Sequence, residues 1–282
     1  MKILLLTFGE GTIGFTRAAK RLQREFSDFF PEQNALIVNA KILKKISPEF
    51  WSSKQKFVKM NPRGYGNWVW KPTLVNLAFL GEFGEFDLLI YLDAGCELNF
   101  STKTATRRFE NYVQMAMESG GLAFAHKAGQ FGIQDFSEVK WTKPAVLNYL
   151  NPDSETLLSP QLQAGCFFLA RQSSQFAFDW FKISNVNDSA FLQDEAVIGQ
   201  YTHRNDQSIF SILWKQAEYR IIDDETFFDF KKDSFASSFP IWTSRNASSR
   251  KTLDYSVFGK TIRRIEALVS QVQFHFSNHW IR

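Results

Sequence analysis

The stretch ILLLTFGEGTIG, residues 3–14, is the starting point for the fold. Its first half is an apolar run that predicts a buried strand over residues 3–8. Residues 12–30 continue with apolar side chains at three- and four-residue steps, which predicts a helix, and ALIVNA at residues 35–40 predicts a second strand. Because a strand–helix–strand unit in one sheet makes a right-handed crossover between parallel strands, the chain opens as an α/β fold.

The rest of the chain continues this alternation. The strongest strand prediction is DLLIYLDAG, residues 87–95, a buried run that ends in an acid and a glycine. The further predicted strands are residues 121–127, 162–170 and 219–224, and the further predicted helices are residues 71–83, 107–117, 143–150, 174–182, 205–217 and 256–273. We predict one domain over residues 1–282, a mainly parallel central sheet flanked by helices, in which residues 235–282 form a C-terminal loop and helix appendage.

Composition and charge narrow the class of protein. The 282 residues carry a formal net charge of +4, and the lysines and arginines are scattered. A nucleic-acid-binding protein would show a dense basic stripe, so we predict no nucleic-acid partner. The charge suits an anionic small ligand, or peripheral contact with an anionic membrane surface through Arg263 and Arg264. Two distant cysteines and the lack of a signal-peptide pattern predict a cytoplasmic location, with attachment to the inner face of the membrane as a further hypothesis.

Gly9, Gly11 and Gly14 match the G-x-G-x-x-G fingerprint of dinucleotide-binding proteins. That fingerprint requires an acid about 20 residues later, at the end of the second strand, to hold the ribose hydroxyls. Residues 34–41 contain no acid, and only Asn39 offers a hydrogen-bonding side chain there. The sequence therefore disfavours an NAD-dependent oxidoreductase. The loop still marks a place where ligands bind, because open α/β sheets bind them beyond the carboxyl ends of their strands.

Four stretches carry the residues that indicate a chemistry. They are GYGNWVWKP (64–72), LLIYLDAGCEL (88–98), LQAGCFFLA (162–170) and HRNDQSIFSIL (203–213). In this order they resemble nucleotide-sugar glycosyltransferases of the GT-A (Rossmann-like) fold. The resemblance is to bacterial capsule and lipopolysaccharide enzymes with a GYGxWxWKP…YLDAG signature and, more distantly, to retaining galactosyl- and glucosyltransferases with D-x-D, N-A-G and D-Q motifs. It covers residues 1–216 and extends only weakly to the tail, through FPIWTSRN at residues 239–246.

The resemblance implies a function. It indicates transfer of a hexose from a UDP- or GDP-sugar to a surface-polysaccharide or lipooligosaccharide acceptor. The D-Q pair favours retention of the anomeric configuration, and inversion stays open. Such a reaction must stabilise the negative charge that grows on the departing nucleoside diphosphate, either with a divalent cation or with lysine and arginine side chains.

The resemblance also assigns the metal and the first donor contacts. Asp93 matches the first Asp of D-x-D and would contact both the donor and Mn²⁺ or Mg²⁺, which are hard ions that take oxygen ligands. The third D-x-D position is Gly95, which can only let backbone approach the donor. Glu97 is therefore the candidate for a second metal ligand, or else the enzyme works without a metal. His275 and His279 are weaker candidates for the C-terminal histidine that the relatives place on the metal.

Further donor-binding candidates come from other stretches. Lys71 stands at a predicted helix start, where backbone N–H groups and the helix dipole attract anions. Trp70 would stack on a base or sugar, although a buried core position is the commoner role for a tryptophan. Thr7 is a candidate from the first strand, and Gln163 takes the place of the Asn in N-A-G. Arg204 would pair with phosphate oxygens through its guanidinium.

Asp206 and Gln207 match the D-Q pair and are the candidate catalytic residues. By resemblance, Asp206 would contact the donor or assist as a base, and Gln207 would lie on the β face of the sugar. The structural alternative is an acid in the first turn of a helix, with Asn205 as its cap.

A second hypothesis comes from another class of protein. Because D-A-G lacks one ligand of D-x-D, the chain could be a catalytically silent module that binds nucleotides or carbohydrates. The substitution Asp93→Ala separates the two, since an enzyme would lose turnover whereas a silent module would retain sugar binding.

Overall fold

The computed structural model describes residues 1–192, 202–230 and 233–252, together with residues 261, 265 and 269. Its strands are β1 (Ile3–Phe8), β2 (Asn34–Val38), β3 (Leu88–Leu92), β4 (Glu97–Leu98), β5 (Gly121–Ala125), β6 (Leu162–Ala170), β7 (Arg220–Asp223) and β8 (Ile241–Trp242). Six of them form one sheet in the order β2-β1-β3-β6-β5-β7, and β4 pairs with β8 in a second, two-stranded sheet. In the large sheet only β6 runs antiparallel to its neighbours, so the predicted α/β fold with a mainly parallel sheet is confirmed.

Helices cover both faces of the large sheet. Within residues 1–192, 202–230 and 233–252, the helices are α1 (Ile13–Phe29), α2 (Ala40–Ile46), α3 (Pro48–Met60), α5 (Trp70–Phe79), α6 (Lys103–Ser119), α7 (Glu138–Trp141), α8 (Pro144–Leu150), α9 (Ser154–Leu158), α10 (Ser174–Val186) and α11 (Asp206–Gln216). The short segment α4 (Gly64–Asn67) is a turn with non-helical backbone angles. None of the helices in the described part of the chain is long and apolar enough to cross a membrane.

Two apolar clusters form the core, one on each face of the large sheet. Successive side chains of a strand point to opposite faces, so Leu4 and Leu6 of β1 join one cluster whereas Ile3 and Leu5 join the other. The first cluster packs under α5, α10 and α11, and the second under α1 and α6. The inner strands β1, β3, β5 and β6 are therefore buried on both faces, as their continuous apolar runs predict.

One edge of the sheet collects the ends of its strands. The parallel strands β1, β3, β5 and β7 all finish there, and β6 begins there because it runs in the opposite direction. The residues that follow or open these strands are polar: Asp93 follows β3, His126 follows β5, Asp224 follows β7, and Gln163 lies near the start of β6. The candidate site lies at this edge.

The region after the second strand differs from the prediction. The strand ends at Val38, and Asn39 caps α2 by accepting a hydrogen bond from the Ile42 backbone N–H over 2.9 Å. The side chain of Asn39 is therefore committed to a helix end. The helices α2 and α3 were not predicted, and α3 has Pro48 in its first turn, where a missing N–H costs little.

A left-handed turn leads into α5. The five consecutive residues of the stretch GYGNW, residues 64–68, have positive φ angles between 50° and 88°. This region is strained for residues with a side chain, at roughly 1–2 kcal/mol each. At Gly64 a Cβ would lie only 2.5 Å from the Trp68 indole, so only glycine leaves room for that ring. The stretch GYGNW is thus a defined turn, and it fixes where α5 begins and where Lys71 lies.

The C-terminal segment, residues 233–252, packs against the main sheet. The strand β8 lies within it, where we predicted a loop, and pairs with β4. The Arg21 guanidinium donates to the carbonyl oxygens of Asn246 and Cys96, which ties the segment to α1 and to the loop after β3. The helix predicted at residues 256–273 lies outside the described residues except at 261, 265 and 269, and His275, His279, Arg263 and Arg264 lie wholly outside them.

Candidate active site

An open cleft at the sheet edge contains half of the predicted site residues. Asp93, Gly95, Gln163, Arg204 and Gln207 line it, around an empty space of about 540 Å³ that opens to solvent. Its other lining residues are Cys96, His126, Phe131, Gly165, Thr243 and Arg245. Thr7, Trp70, Lys71, Glu97 and Asp206 were also predicted for the site but do not line the cleft.

Lys71 lies directly behind the cleft between two carboxylates. Its ammonium Nζ is 3.3 Å from Asp93 Oδ1 and 2.8 Å from Asp206 Oδ2, and it donates to the Ala164 carbonyl oxygen over 3.1 Å. Lys71 is only 2% exposed. We expected Lys71 to bind a phosphate of the donor. It is instead buried and neutralises the carboxylates of Asp93 and Asp206, which belong to two separate motifs.

Burial and charge act against each other in this trio. Burial lowers the pKa of Lys71, but the carboxylates of Asp206 and Asp93 outweigh it, so the pKa is raised and the ammonium keeps its proton. Burial also raises the pKa of Asp206 to about 6, and the attraction of Lys71 offsets only part of this rise. Asp206 is thus a buried structural partner of Lys71 and does not face the cleft as a catalytic base would.

Asp93 is held at one oxygen and open on its other side. Tyr91 Oη donates to Asp93 Oδ1 over 2.8 Å, next to the ammonium of Lys71. A Cβ at Gly165 would lie 2.7 Å from Asp93 Oδ2, so the glycine of Q-A-G makes space for this carboxylate. The Asp93 side chain remains 40% exposed. It can accept hydrogen bonds from a ligand in the cleft.

Two arginines bring positive charge into the cleft. The guanidinium of Arg204 lies 4.1 Å from the ring centroid of Trp141, and that of Arg245 lies 4.8 Å from the ring centroid of Phe131. Burial, followed by the like charges of Arg245 and Arg63, lowers the pKa of Arg204 to about 10. Within the described ranges, no carboxylate lies within 4 Å of Arg204 or Arg245. This uncompensated charge favours an anionic ligand.

Gly95 determines how Arg245 reaches the cleft. A Cβ at Gly95 would lie 3.1 Å from Arg245 Cα, and the Asn246 backbone N–H donates to the Gly95 carbonyl oxygen over 3.0 Å. We expected this glycine to admit backbone close to a donor. The backbone that approaches it belongs to the protein's own C-terminal segment.

Amide side chains form a hydrogen-bonded network on the side of the cleft that contains His126. Gln207 Nε2 donates to Gln161 Oε1 over 3.0 Å and lies 3.4 Å from His126 Nε2. Gln163 Nε2 donates to Asp224 Oδ2 at the end of β7. The side chains of Gln207 and Gln163 are therefore both held by neighbours, and both still line the cleft.

Glu97 does not fit the expected role of a metal ligand. It is fully buried, and its two oxygens accept hydrogen bonds from the Ser244 hydroxyl and from the hydroxyl and backbone N–H of Thr252. In the part of the chain that the structure describes, no three His, Cys, Asp or Glu side chains come together as a metal site. The donor set around Asp93 thus does not fit a cation held by protein ligands alone.

Three further expectations need correction. Trp70 is buried and stacks on Phe8 with ring centroids 3.8 Å apart, while its Nε1 donates to the Gly64 carbonyl oxygen, so it is a core residue. Thr7 is 1% exposed and does not line the cleft. Asn205 precedes α11 with a φ of 51°, and its amide donates to the Phe191 carbonyl oxygen over 2.6 Å instead of capping the helix.

Sequence reasoning missed His126 and Arg245. His126 directly follows β5, so the rule that ligands bind beyond strand ends, applied to the stretch GLAFAHK, would have pointed to it. Arg245 lies in the stretch FPIWTSRN, residues 239–246, to which the resemblance extends only weakly. The pairing of β8 with β4 brings it to the cleft.

Comparisons with known proteins found similar chain folds and no sequence family. No protein-family model matches the chain, and a search of curated proteins found no match. Similar solved structures include mouse xyloside xylosyltransferase 1 in its apo form (11% identity, TM-score 0.44, covering 86% of this chain and 97% of that one). Another is a glycosyltransferase involved in glycosylation of the major capsid of PBCV-1 (10% identity, TM-score 0.47, 86% and 94%). A third is the galactosyltransferase LgtC in complex with donor and acceptor sugar analogs (11% identity, TM-score 0.42, 96% and 96%). At these values the comparisons carry no argument about activity, which rests on the cleft.

Proposed function

We propose that the chain is a glycosyltransferase that moves a sugar from a nucleoside-diphosphate sugar to a saccharide acceptor. The observation that carries the proposal is the meeting in one cleft of the partly exposed carboxylate of Asp93 with the guanidiniums of Arg204 and Arg245, which pair with no carboxylate among the described residues. Carboxylates accept hydrogen bonds from sugar hydroxyls, and guanidiniums bind phosphate oxygens in a bidentate manner. A nucleotide sugar presents both groups.

The geometry supports a division of labour during transfer. As the bond between sugar and phosphate breaks, negative charge grows on the diphosphate, and fixed cations beside it lower the barrier. Arg204 is suited to this task because its guanidinium is already held against Trp141. Asp93 is fixed by Lys71 and Tyr91 and would hold the donor sugar by its hydroxyls. Gln207 is the predicted catalytic residue that lies in the cleft, and Asp206 supports the site through Lys71.

The finer features of the proposal rest on the motifs. A hexose donor activated by UDP or GDP, a surface-polysaccharide or lipooligosaccharide acceptor, and retention of configuration are all supported by the GYGxWxWKP…YLDAG and D-Q resemblances. A cytoplasmic location with peripheral membrane contact, and the absence of a nucleic-acid partner, stay predictions. So does Mn²⁺ or Mg²⁺, for which Asp93 would be a protein ligand. Since the donor set fits such an ion poorly, we assign charge stabilisation to the arginines.

Thermal unfolding with a panel of ligands tests the proposal. We expect UDP or GDP to raise the unfolding temperature by several degrees in EDTA, because a ligand at 100 times its Kd contributes about 2.7 kcal/mol. The substitutions Arg204→Ala and Arg245→Ala should abolish the rise, whereas Arg107→Ala, at an exposed arginine of α6, should not. Stabilisation by NAD alone would contradict the proposal.

A turnover assay separates the enzyme from the silent module. With the nucleotide sugar that binds best, the variant Asp93→Ala should lose release of the nucleoside diphosphate by at least 100-fold. A wild-type protein that binds nucleotide sugars yet neither transfers nor hydrolyses them would support the module instead.

A further inference from the structure

His126 lies in the cleft, and the proposed function gives it no role. We infer that His126 is a positioning residue: as a neutral ring protonated on Nδ1, it fixes the side-chain amide of Gln207 so that the carbonyl oxygen Oε1 is the group left for the bound sugar. The inference rests on the proposed function only where it names a sugar as what Oε1 meets. The orientation of the Gln207 amide itself follows from the hydrogen-bond donors and acceptors that surround Gln207 and His126.

The argument starts at the buried end of the network, where the donors are known. Glu138 is fully buried and paired with Lys215 at 2.7 Å, so its carboxylate only accepts. The hydroxyl of Thr142 donates its one proton to Glu138 Oε2 over 3.1 Å, and the hydroxyl of Ser208 donates its one proton to the Trp141 carbonyl oxygen over 3.0 Å. Both hydroxyl oxygens can then only accept from any other neighbour.

Gln161 is that neighbour. Its nitrogen Nε2 lies 3.1 Å from Thr142 Oγ1 and 3.1 Å from Ser208 Oγ, so both amide protons are used. A flipped amide would set its oxygen against two oxygens that have no proton to offer. Gln161 Oε1 must therefore face Gln207, and Gln207 must present its own nitrogen, which lies 3.0 Å away.

The second amide proton of Gln207 points to the histidine ring. His126 Nε2 is 3.4 Å from Gln207 Nε2. Because the Gln207 nitrogen donates, His126 Nε2 must be the unprotonated ring nitrogen that accepts. The ring proton then belongs on Nδ1, which lies 3.2 Å from Gln130 Oε1. The orientation of Gln130 is set independently, because its nitrogen donates to Asp224 Oδ2 over 2.7 Å and its oxygen accepts from the Lys127 backbone N–H. The two ends of the network thus require the same tautomer.

This arrangement leaves one group of Gln207 unused. Both amide protons are committed, whereas Oε1 accepts no hydrogen bond from the residues that the structure describes. Gln207 lines the cleft, so its carbonyl oxygen is available there. A carbonyl oxygen carries partial negative charge, which would stabilise the positive charge that develops on a sugar when its leaving group departs.

Burial and two nearby arginines keep the ring of His126 neutral. Burial is the largest cause and lowers the pKa of His126 below its ordinary 6.5. The negative charge of Asp224 and the hydrogen bond to Gln130 oppose this, and the positive charges of Arg204 and Arg245 lower the pKa further. Lys127, the next residue, is exposed to solvent. Protonation of Nε2 would turn the acceptor into a donor facing another donor, and the Gln207 amide would have to turn its oxygen away from the cleft. Activity should therefore fall as pH decreases through the pKa of His126.

Nitrogen NMR of labelled histidines tests the tautomer directly, whatever the activity. The chain has four histidines, and His203 is an internal reference of the opposite kind. Its Nδ1 accepts from the Lys143 backbone N–H over 3.3 Å, and its Nε2 lies 2.8 Å from the Ala190 carbonyl oxygen, so its proton sits on Nε2. At pH 7.5 we expect the ring of His126, assigned by its loss in His126→Gln, to be neutral and protonated on Nδ1. A ring protonated on Nε2, or on both nitrogens, overturns the inference even if the protein is a glycosyltransferase.

The pH profile of kcat tests the positioning role. His126→Phe removes the acceptor and should lower kcat roughly tenfold with little change in KM, because an orienting hydrogen bond is lost. In His126→Gln the side-chain oxygen still accepts and does not titrate, so this variant should restore part of kcat and show no decline at acidic pH. An acidic decline that persists unchanged in His126→Gln, or equal kcat values for wild type and His126→Phe, would overturn the inference.

Discussion

Replacement of Lys71 by methionine tests the central electrostatic arrangement of the site. Methionine is about as long and as flexible as lysine but carries no charge. In the variant, the carboxylate of Asp206, which is only 4% exposed, loses the cation that lies 2.8 Å away. Breaking a buried ion pair on one side costs about 3–5 kcal/mol. We therefore expect the free energy of unfolding at pH 7 to fall by about that amount.

The pH dependence of this loss is specific to the buried acid. Burial raises the folded-state pKa of Asp206 from 3.8 to about 6, which corresponds to about 3 kcal/mol. Because the folded protein binds this proton more tightly than the unfolded chain does, the contribution of Asp206 to stability is highest below pH 3.8 and is lost as pH rises through about 6. Without Lys71 the pKa rises further. The deficit of Lys71→Met should therefore be smaller at pH 5.5 than at pH 7.

Urea unfolding followed by circular dichroism measures these differences. The double variant Lys71→Met/Asp206→Asn removes the stranded charge and should recover about 2 kcal/mol relative to Lys71→Met. Lys20→Met, at an exposed lysine of α1, is the matched control and should change stability by less than about 0.5 kcal/mol. A loss below about 1 kcal/mol in Lys71→Met at pH 7, or a further loss in the double variant, would refute the reasoning.

Three further substitutions address other parts of the site. Gly165→Ala places a Cβ 2.7 Å from Asp93 Oδ2; displacement of this carboxylate should lower kcat/KM at least tenfold with a change of about 1 kcal/mol in unfolding free energy, and an unaffected kcat/KM would contradict it. Glu97→Ala leaves buried hydrogen-bond donors of the C-terminal segment without their acceptor, so it should destabilise by about 2–3 kcal/mol and speed limited proteolysis of that segment; a loss of Mn²⁺ response without destabilisation would restore Glu97 as a metal ligand. Gln207→Glu places a carboxylate beside His126 Nε2, so an NMR titration should show the pKa of His126 raised by about one unit, and an unchanged or lower pKa would argue against their contact.

The parts of the site that follow strand ends were predictable from sequence. Asp93 and Gln163 come at the ends of long apolar runs, and the rule for open α/β sheets puts such residues at one edge. Gln207 was found through the D-Q motif, and Arg204 was chosen in the same stretch because a guanidinium pairs with phosphate oxygens. Local pattern was enough for these residues because each is placed by the element that immediately precedes or follows it.

The remaining parts depend on contacts between distant segments. Lys71 and Asp206 each stand near a helix start, and nothing in either stretch says that they pair with each other. Glu97 had the right spacing from Asp93 for a second ligand, but the C-terminal segment occupies both of its oxygens. The pattern of the sequence around Glu97 cannot show that Ser244 and Thr252 occupy its oxygens, because these residues lie 147 and 155 positions away along the chain.

The position of β6 in the middle of the sheet has a consequence for how the protein folds during synthesis. The strands β2, β1 and β3 form one part of the sheet, β5 and β7 another, and only β6 joins the two. A growing chain can pair the first three strands once Leu92 has left the ribosome, but β5 has no neighbour in the sheet until residues 162–170 arrive. Pairings between segments so far apart in sequence are slow to form. The cleft is lined by Gln163 and Gly165 of β6. We therefore expect it to be completed late, after the first three strands have paired.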